Sequence, residues 1–184
     1  EYDPLALPEA ADLHAYGALL RVGQIAGALD AALTRTAGYV RERVQFGKPI
    51  GQFQAVQQQV ATLAGESAAV SAAARAAARA ASRVGAGLSD ALFEIAAAKL
   101  RANNAVQIGT TIAHQMHGAI GFTHEYALRH LSHRLWSWRS EFGNDAYWSE
   151  RLGGFVAARG PKGFWADLTA RGDVCGRPAM ASLR

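Results

Sequence analysis

From Leu19 onward the apolar residues Val22, Ile25, Ala26, Leu29, Leu33, Ala37 and Val40 return at steps of three and four, the stripe of an amphipathic helix. The stripe breaks at Phe46-Gly47-Lys48-Pro49, where glycine loosens the backbone and proline removes a donor. A second helix is predicted from about Gln52, with Phe53, Val56, Val60 and Leu63 on one face ahead of the run ESAAVSAAARAAARAASR. That run resembles low complexity, yet alanine is the strongest helix former and its small side chain lets a neighbouring helix come close. Gly85-Ala86-Gly87 ends it. Ser89 is placed to cap a third helix, in which Leu92, Ile95, Ala96, Ala102, Val106 and Ala113 keep the period up to Gly118. A fourth helical segment is predicted from about Glu125 to Glu141 and a shorter fifth after Asn144-Asp145, while no stretch sustains the alternation of a strand.

Three helices of about thirty residues, each about 45 Å long, can bury their stripes only against one another. The predicted fold is therefore all-α, an antiparallel helical bundle. At 184 residues, half of them apolar, the chain suits one domain with a substantial core. We place that bundle at residues 1–160. Residues 161–184 are expected to form a C-terminal extension, partly irregular, because glycine, proline and polar residues crowd the ending TARGDVCGRPAMASLR after Trp165. No run approaches the eighteen apolar residues of a membrane span, and the opening EYDPLALPEAADLH is acidic where a secretory signal is basic. The lone Cys175 excludes an internal disulfide framework and fits a reducing compartment, so a cytoplasmic location is expected. The start at Glu1 without methionine is expected of a piece of a larger parent, of a processed chain or of a segment cut for expression.

The net charge of +4 rests on arginines, since lysine occurs only at Lys48, Lys99 and Lys162. Such a surface suits nucleic acid, anionic membrane and phosphorylated ligands equally well. Arg75, Arg79 and Arg83 share one helical face, but the interleaved aromatics of a nucleic-acid groove are missing, so a solvated or partner-facing stripe is expected. Five of the six histidines lie between His114 and His133. The pairs His114/His117 and His130/His133, with Glu125 nearby, are spaced three apart rather than the four of a zinc protease, and no metal is expected. Packing and capping suit these imidazoles better. Trp136, Trp138 and Trp148 are expected in the core or at a subunit contact. Neither a GxGxxG fingerprint nor a Walker lysine motif occurs.

Two punctuated stretches carry more information: RVQFGKPIGQFQAVQ between the first two helices and QMHGAIGFTHEY between the third and fourth. In Arg43, Phe46, Gly47, Lys48, Pro49, Ile50, Phe53 and Gln54, and in Gln115, Gly118, Gly121, Phe122, Glu125 and Tyr126, the chain from about Leu19 to Leu152 resembles the C-terminal helical domain of the acyl-CoA dehydrogenase family. The resemblance implies FAD-dependent α,β-dehydrogenation of an acyl-CoA thioester, in a homo- or hetero-oligomer that is a dimer or tetramer; it names no electron acceptor. In the family, the arginine and glutamine of these motifs reach the pyrophosphate and adenine side of an FAD held by a neighbouring subunit. The resemblance thus makes Arg43, Gln115, Gly118 and Ala119 cofactor-binding residues, with Phe46, also cofactor-binding, packing beside Arg43 and Gln115. A guanidinium suits a diphosphate because its planar fork makes paired charged hydrogen bonds. Without the family, Arg43 also reads as a cation at a helix C-terminus, which is favourable by itself.

The resemblance also locates the base that removes the α-proton. In most members it is the glutamate of a Glu-Gly-Thr turn after the fourth helix. Counting from Gly121 without a gap puts Gly143 on that glycine and Phe142 on the glutamate. Other members carry the base on the first long helix, where the matching residue is Gly17. Glu141, one residue from the expected place, is the remaining catalytic candidate. The ending FGNDAYWSERLG is similar to actinobacterial-type members that act as mixed tetramers on bulky thioesters such as steroid side chains, one kind of subunit keeping the glutamate. Two expectations follow: a dehydrogenase using Glu141 or a base outside this segment, or a non-catalytic partner subunit that completes a flavin site. The family's N-terminal helical domain and middle β domain have no counterpart in these residues.

Overall fold

The computed structural model describes residues 10–83, 88 and 91–170. Five helices carry the fold: α1 Ala10–Glu42, α2 Gln54–Arg83, α3 Leu92–His117, α4 Ala127–Ser140 and α5 Asp145–Ala170. Single 3-10 segments follow the first joint and α3, at Ile50–Gln52 and Gly118–Phe122. The three long helices pack mutually as the periodic stripes require, with α4 and α5 against α3 and α4 also against α1. The stripe residues Val22, Ile25 and Leu29 of α1, Leu63, Val70 and Ala77 of α2, and Ile95, Ala102 and Val106 of α3 are all fully buried. At Gly109 a Cβ would stand 2.8 Å from Leu29 Cδ2 and 3.2 Å from Leu63 Cδ1, so the helices meet there at a separation that glycine permits. Helix α1 starts well before Leu19, because Ala15 and Ala18 continue its buried face.

The joint after α1 is a small antiparallel hairpin, β1 Val44–Gln45 against β2 Lys48–Pro49. Phe46 and Gly47 form its two-residue loop with φ of 53° and 80°. Two successive positive φ angles are what a tight hairpin of this length needs, and they explain the break in the helical period. The hairpin is too short to register as alternation.

The fifth helix corrects an expectation: up to its break at Gly160 it is no shorter than the 14-residue α4, and beyond the break it resumes to Ala170. Gly160 takes φ 67° and Pro161 begins a second helical stretch. A Gly-Pro pair reads as a stop, but proline fits the first turn of a helix, so the chain bends and resumes. Phe93 of α3 meets Phe155 before the break and Phe164 after it, with ring centroids 5.2 Å and 6.1 Å away. Arg159 and Asp167 bridge the break with two hydrogen bonds of 2.6 Å and 2.7 Å. The helix thus continues past Trp165 to Ala170. The expected Ser89 cap, the Gly85-Ala86-Gly87 stop and Cys175 lie outside the described residues. Arg75, Arg79 and Arg83 are exposed along α2.

Candidate functional site

Helices α1 and α3 run the same way in the up-down-up order, so their C-termini share one end of the bundle. Arg43 is the first residue beyond α1; its N–H donates to Tyr39 O at 2.9 Å and its carbonyl accepts from Ile50 N–H at 2.8 Å. These bonds anchor the backbone and leave the guanidinium exposed. Phe46, at the hairpin tip, is 93% exposed. A bulky residue at positive φ costs on the order of 1 kcal/mol, so this ring is held in water against both its hydrophobicity and its backbone preference. Lys48 Nζ lies 4.4 Å from the Phe53 ring centre, which keeps its charge on the hairpin's base.

At the end of α3, Gly118 (φ 63°) donates its N–H to His114 O and turns the chain into the 118–122 segment. Gln115, Gly118 and Ala119 are exposed there. His117 stacks on Tyr39 at 4.4 Å, and Tyr39 Oη donates to His117 O at 3.4 Å. His114 is sandwiched between Phe122 at 4.0 Å and Trp136 at 5.7 Å. Burial, joined for His114 by the nearby His117 and His133, holds both imidazoles below their ordinary range, so both are neutral at pH 7. A cleft of about 620 Å³ opens beside them, with Gln107, Gln115, Gly118, Phe122, Trp136 and Arg139 in its wall. The exposed guanidinium and carboxamide are the donor chemistry that a diphosphate takes. Among the described residues, Gln115 lines this cleft and the Arg43 guanidinium stands open to solvent.

The positions implied for a base lie at the other end, roughly 40 Å from Arg43 along α1 at the helical rise, so the two ends cannot serve one small cofactor. After α4 the chain turns through Phe142 (φ 53°) and Gly143 (φ 98°). A Cβ on Gly143 would collide with Tyr147 and Trp148, which is why this turn carries glycine. Asn144 then caps α5, its Oδ1 accepting from Tyr147 N–H at 3.0 Å. Trp148 is 1% exposed and donates Nε1–H to Phe142 O at 3.0 Å. The turn presses the Phe142 ring onto Gly17, where a Cβ would strike it directly. The two implied base positions thus touch, and neither bears a carboxylate. His14, one turn before Gly17, packs its ring against Phe142, Tyr147 and Trp148.

Glu141 faces elsewhere. Its Oε2 accepts from Arg21 Nε at 2.6 Å and pairs with Nη2 at 2.5 Å, and its Oε1 accepts from Ser137 Oγ at 2.7 Å. The Ser137 hydroxyl first, then Arg21, hold its carboxyl below the usual range despite an opposing desolvation. Arg21 itself stands 5.6 Å from the Trp138 ring centre and 5.8 Å from that of Phe142.

Sequence reasoning missed Lys99. It is 0% exposed, and its ammonium donates to Asn103 Oδ1 at 2.7 Å, Trp138 O at 3.1 Å and Arg139 O at 3.0 Å. It caps the C-terminus of α4 and so anchors the turn at 141–143, with burial pushing its pKa down to about 8. The signal was available: Lys99 and Asn103 fall in the stripe of Ile95, Ala96, Ala102 and Val106, where a charge needs buried acceptors. His130 and His133 are exposed, and no three potential ligands gather for a metal among the described residues. Among those residues no helix is long and apolar enough to cross a membrane.

Residues 13–147 match the family model for the acyl-CoA dehydrogenase C-terminal domain. The chain belongs to the acyl-CoA dehydrogenase family. Acryloyl-CoA reductase (NADH) of Anaerotignum propionicum is 36% identical over 120 residues, which are 62% of this chain and 28% of that protein. The structure of PigA with FAD and proline shares the fold at TM-score 0.74 and 23% identity, over 82% of this chain and 38% of that one. The ChsE4-ChsE5 complex from Mycobacterium tuberculosis matches at TM-score 0.66 and 25% identity, over 81% of this chain and 39% of the other. This acyl-CoA dehydrogenase bundle therefore spans 28–39% of the proteins it resembles.

Proposed function

We propose that this chain is the C-terminal bundle of an FAD-dependent acyl-CoA dehydrogenase assembly, in which it completes the flavin site of a neighbouring subunit and supplies no catalytic carboxylate. The observation that carries this reading is the Phe142 ring seated on Gly17. Abstraction of a thioester α-proton needs a positioned base near neutrality, and a hydrocarbon fills both places where one is implied. FAD, when bound, would supply the acceptor for the hydride leaving the β-carbon. The chain's own part is recognition: Arg43 pairs with the diphosphate, Gln115 holds the adenine side, Gly118 and Ala119 let the backbone approach, and Phe46 covers the contact from water. Because the two ends lie so far apart, the flavin contacted by Arg43 belongs to another subunit, which makes a homo- or hetero-dimer the smallest working unit. An acyl-CoA thioester is then bound at the assembled site.

The reading that uses Glu141 as base requires its carboxylate to leave both Arg21 and Ser137. Two charged hydrogen bonds oppose that movement, each worth up to about 1 kcal/mol at this partly exposed surface. Its lowered pKa also makes it a poor acceptor for a weakly acidic proton. Flavin reduction by acyl-CoA thioesters tests both readings in the complete parent protein, purified without a partner. Slow or absent reduction, unchanged by Glu141→Gln, together with flavin loss on Arg43→Ala, is the expected result. Brisk reduction abolished by Glu141→Gln would establish Glu141 as the base and overturn the partner-subunit reading.

A further inference from the structure

We propose that Tyr39 and His117 form a positioning pair that locks the Arg43 hairpin and the Gln115 turn into one recognition surface, and that the lock holds only with a neutral imidazole. This rests on the flavin-completing role above. The two motifs hang from different helices, and a surface that grips one ligand must hold its parts to within about 0.5 Å. Tyr39 is one turn before Arg43, whose N–H it accepts, and His117 is the residue before Gly118. Each is thus a single step from the motif it would hold. Their rings stack at 4.4 Å with a 28° tilt, and Tyr39 Oη reaches the His117 carbonyl. The hydroxyl thus adds a long, 3.4 Å contact to backbone at the root of the 118–122 turn, and the ring stack carries most of the contact between the two helices.

The imidazole is wired for one protonation state. His117 is 4% exposed, and its Nδ1 lies 2.8 Å from Ala113 O, which places the proton on Nδ1. Nε2 is buried with no partner. A second proton there would create a buried cation whose new N–H has nothing to donate to. Burial lowers the His117 pKa against the opposing hydrogen bond to Ala113 O; the groups around the pair are His114 on the same helix, His133 of α4 beside His114, and Tyr126 at 5.3 Å with Arg35 and Glu42 of α1 beside it. Glu42 is the lone anion of that set. Protonation is expected to part the rings and separate the two motifs.

The test uses the complete flavoprotein and its flavin dissociation constant from pH 5 to 8, with hydrogen exchange of residues 118–122 in flavin-free protein as a readout independent of turnover. Tyr39→Ala should raise the constant about tenfold and expose the 118–122 amides, and Tyr39→Phe should raise it about threefold, the stack being kept and one hydrogen bond lost. His117→Phe keeps a ring without a titrating nitrogen; it should bind flavin evenly across the range, whereas the wild type weakens toward the acid end of it. If Tyr39→Ala does not fold, the flat His117→Phe profile against a sloping wild type still decides. Wild-type flavin binding by Tyr39→Ala beside a flavin-depleted Arg43→Ala overturns the pair alone, as does a His117→Phe profile that slopes like the wild type. Full flavin retention by Arg43→Ala overturns the functional reading instead, and the pair's purpose with it.

Discussion

Replacing Lys99 by methionine sets two large effects against each other. The buried ammonium, with its pKa pushed from 10.5 down to about 8, carries a desolvation disadvantage of about 3 kcal/mol that methionine does not have. Against that, Asn103 Oδ1 and the Trp138 and Arg139 carbonyls lose their donor. Three orphaned acceptors at roughly 1–3 kcal/mol each come to about 6 kcal/mol, so Lys99→Met should destabilise the protein by about 3 kcal/mol at pH 7. Its pH dependence is a second signature. The folded lysine gives up its proton near pH 8 and the unfolded one near 10.5, so between those values the unfolded state binds more protons and stability rises with pH. The wild type should therefore gain on Lys99→Met by about 1.4 kcal/mol per pH unit across this window, and the gap should stay constant below pH 8. Urea unfolding followed by tryptophan fluorescence at pH 7, 8, 9 and 10 measures both, because subtracting the variant removes every other titrating group. A gap that shrinks from pH 8 to 10, or a variant more stable than wild type at pH 7, would refute the reasoning.

Gly17→Ala should cost about 1–3 kcal/mol, because its methyl group enters the Phe142 ring, and Phe142→Ala in the same chain should recover most of the loss. A thermal double-mutant cycle measures this coupling, and additive losses would mean that the ring does not rest on Gly17. His114 and His117 are held below the ordinary imidazole range by burial, so the unfolded state takes up more protons below pH 6.5. Stability should fall as pH drops from 6.5, at up to about 1.4 kcal/mol per pH unit for each, and the slope should halve in His114→Phe. Urea midpoints between pH 4.5 and 7 measure it, a flat profile being the contrary outcome.

Periodicity of three and four was enough to lay out three long helices and the break between the first two, because burying a continuous stripe is a local demand that each helix writes into its own residues. The motif residues Arg43 and Gln115, and the missing carboxylates at Phe142 and Gly17, were likewise legible in the chain, since a motif is an order of residue types. What the chain order could not contain was adjacency. Gly17 and Phe142 look like two separate losses until α1 and the turn after α4 meet, when the ring of one is seen to occupy the side-chain space of the other. The stripe of α3 marks Lys99 as facing inward, but only the end of α4 over it supplies the two carbonyls that accept from its ammonium. The extension placed at residues 161–184 begins instead as helix to Ala170, because Phe164 returns to Phe93 and the burial of rings outweighs the local break at Gly160. The pairing of Tyr39 with His117 is of the same kind: each aromatic residue is unremarkable alone, and only the packing of α1 beside α3 brings a hydroxyl to the carbonyl that a recognition turn hangs from.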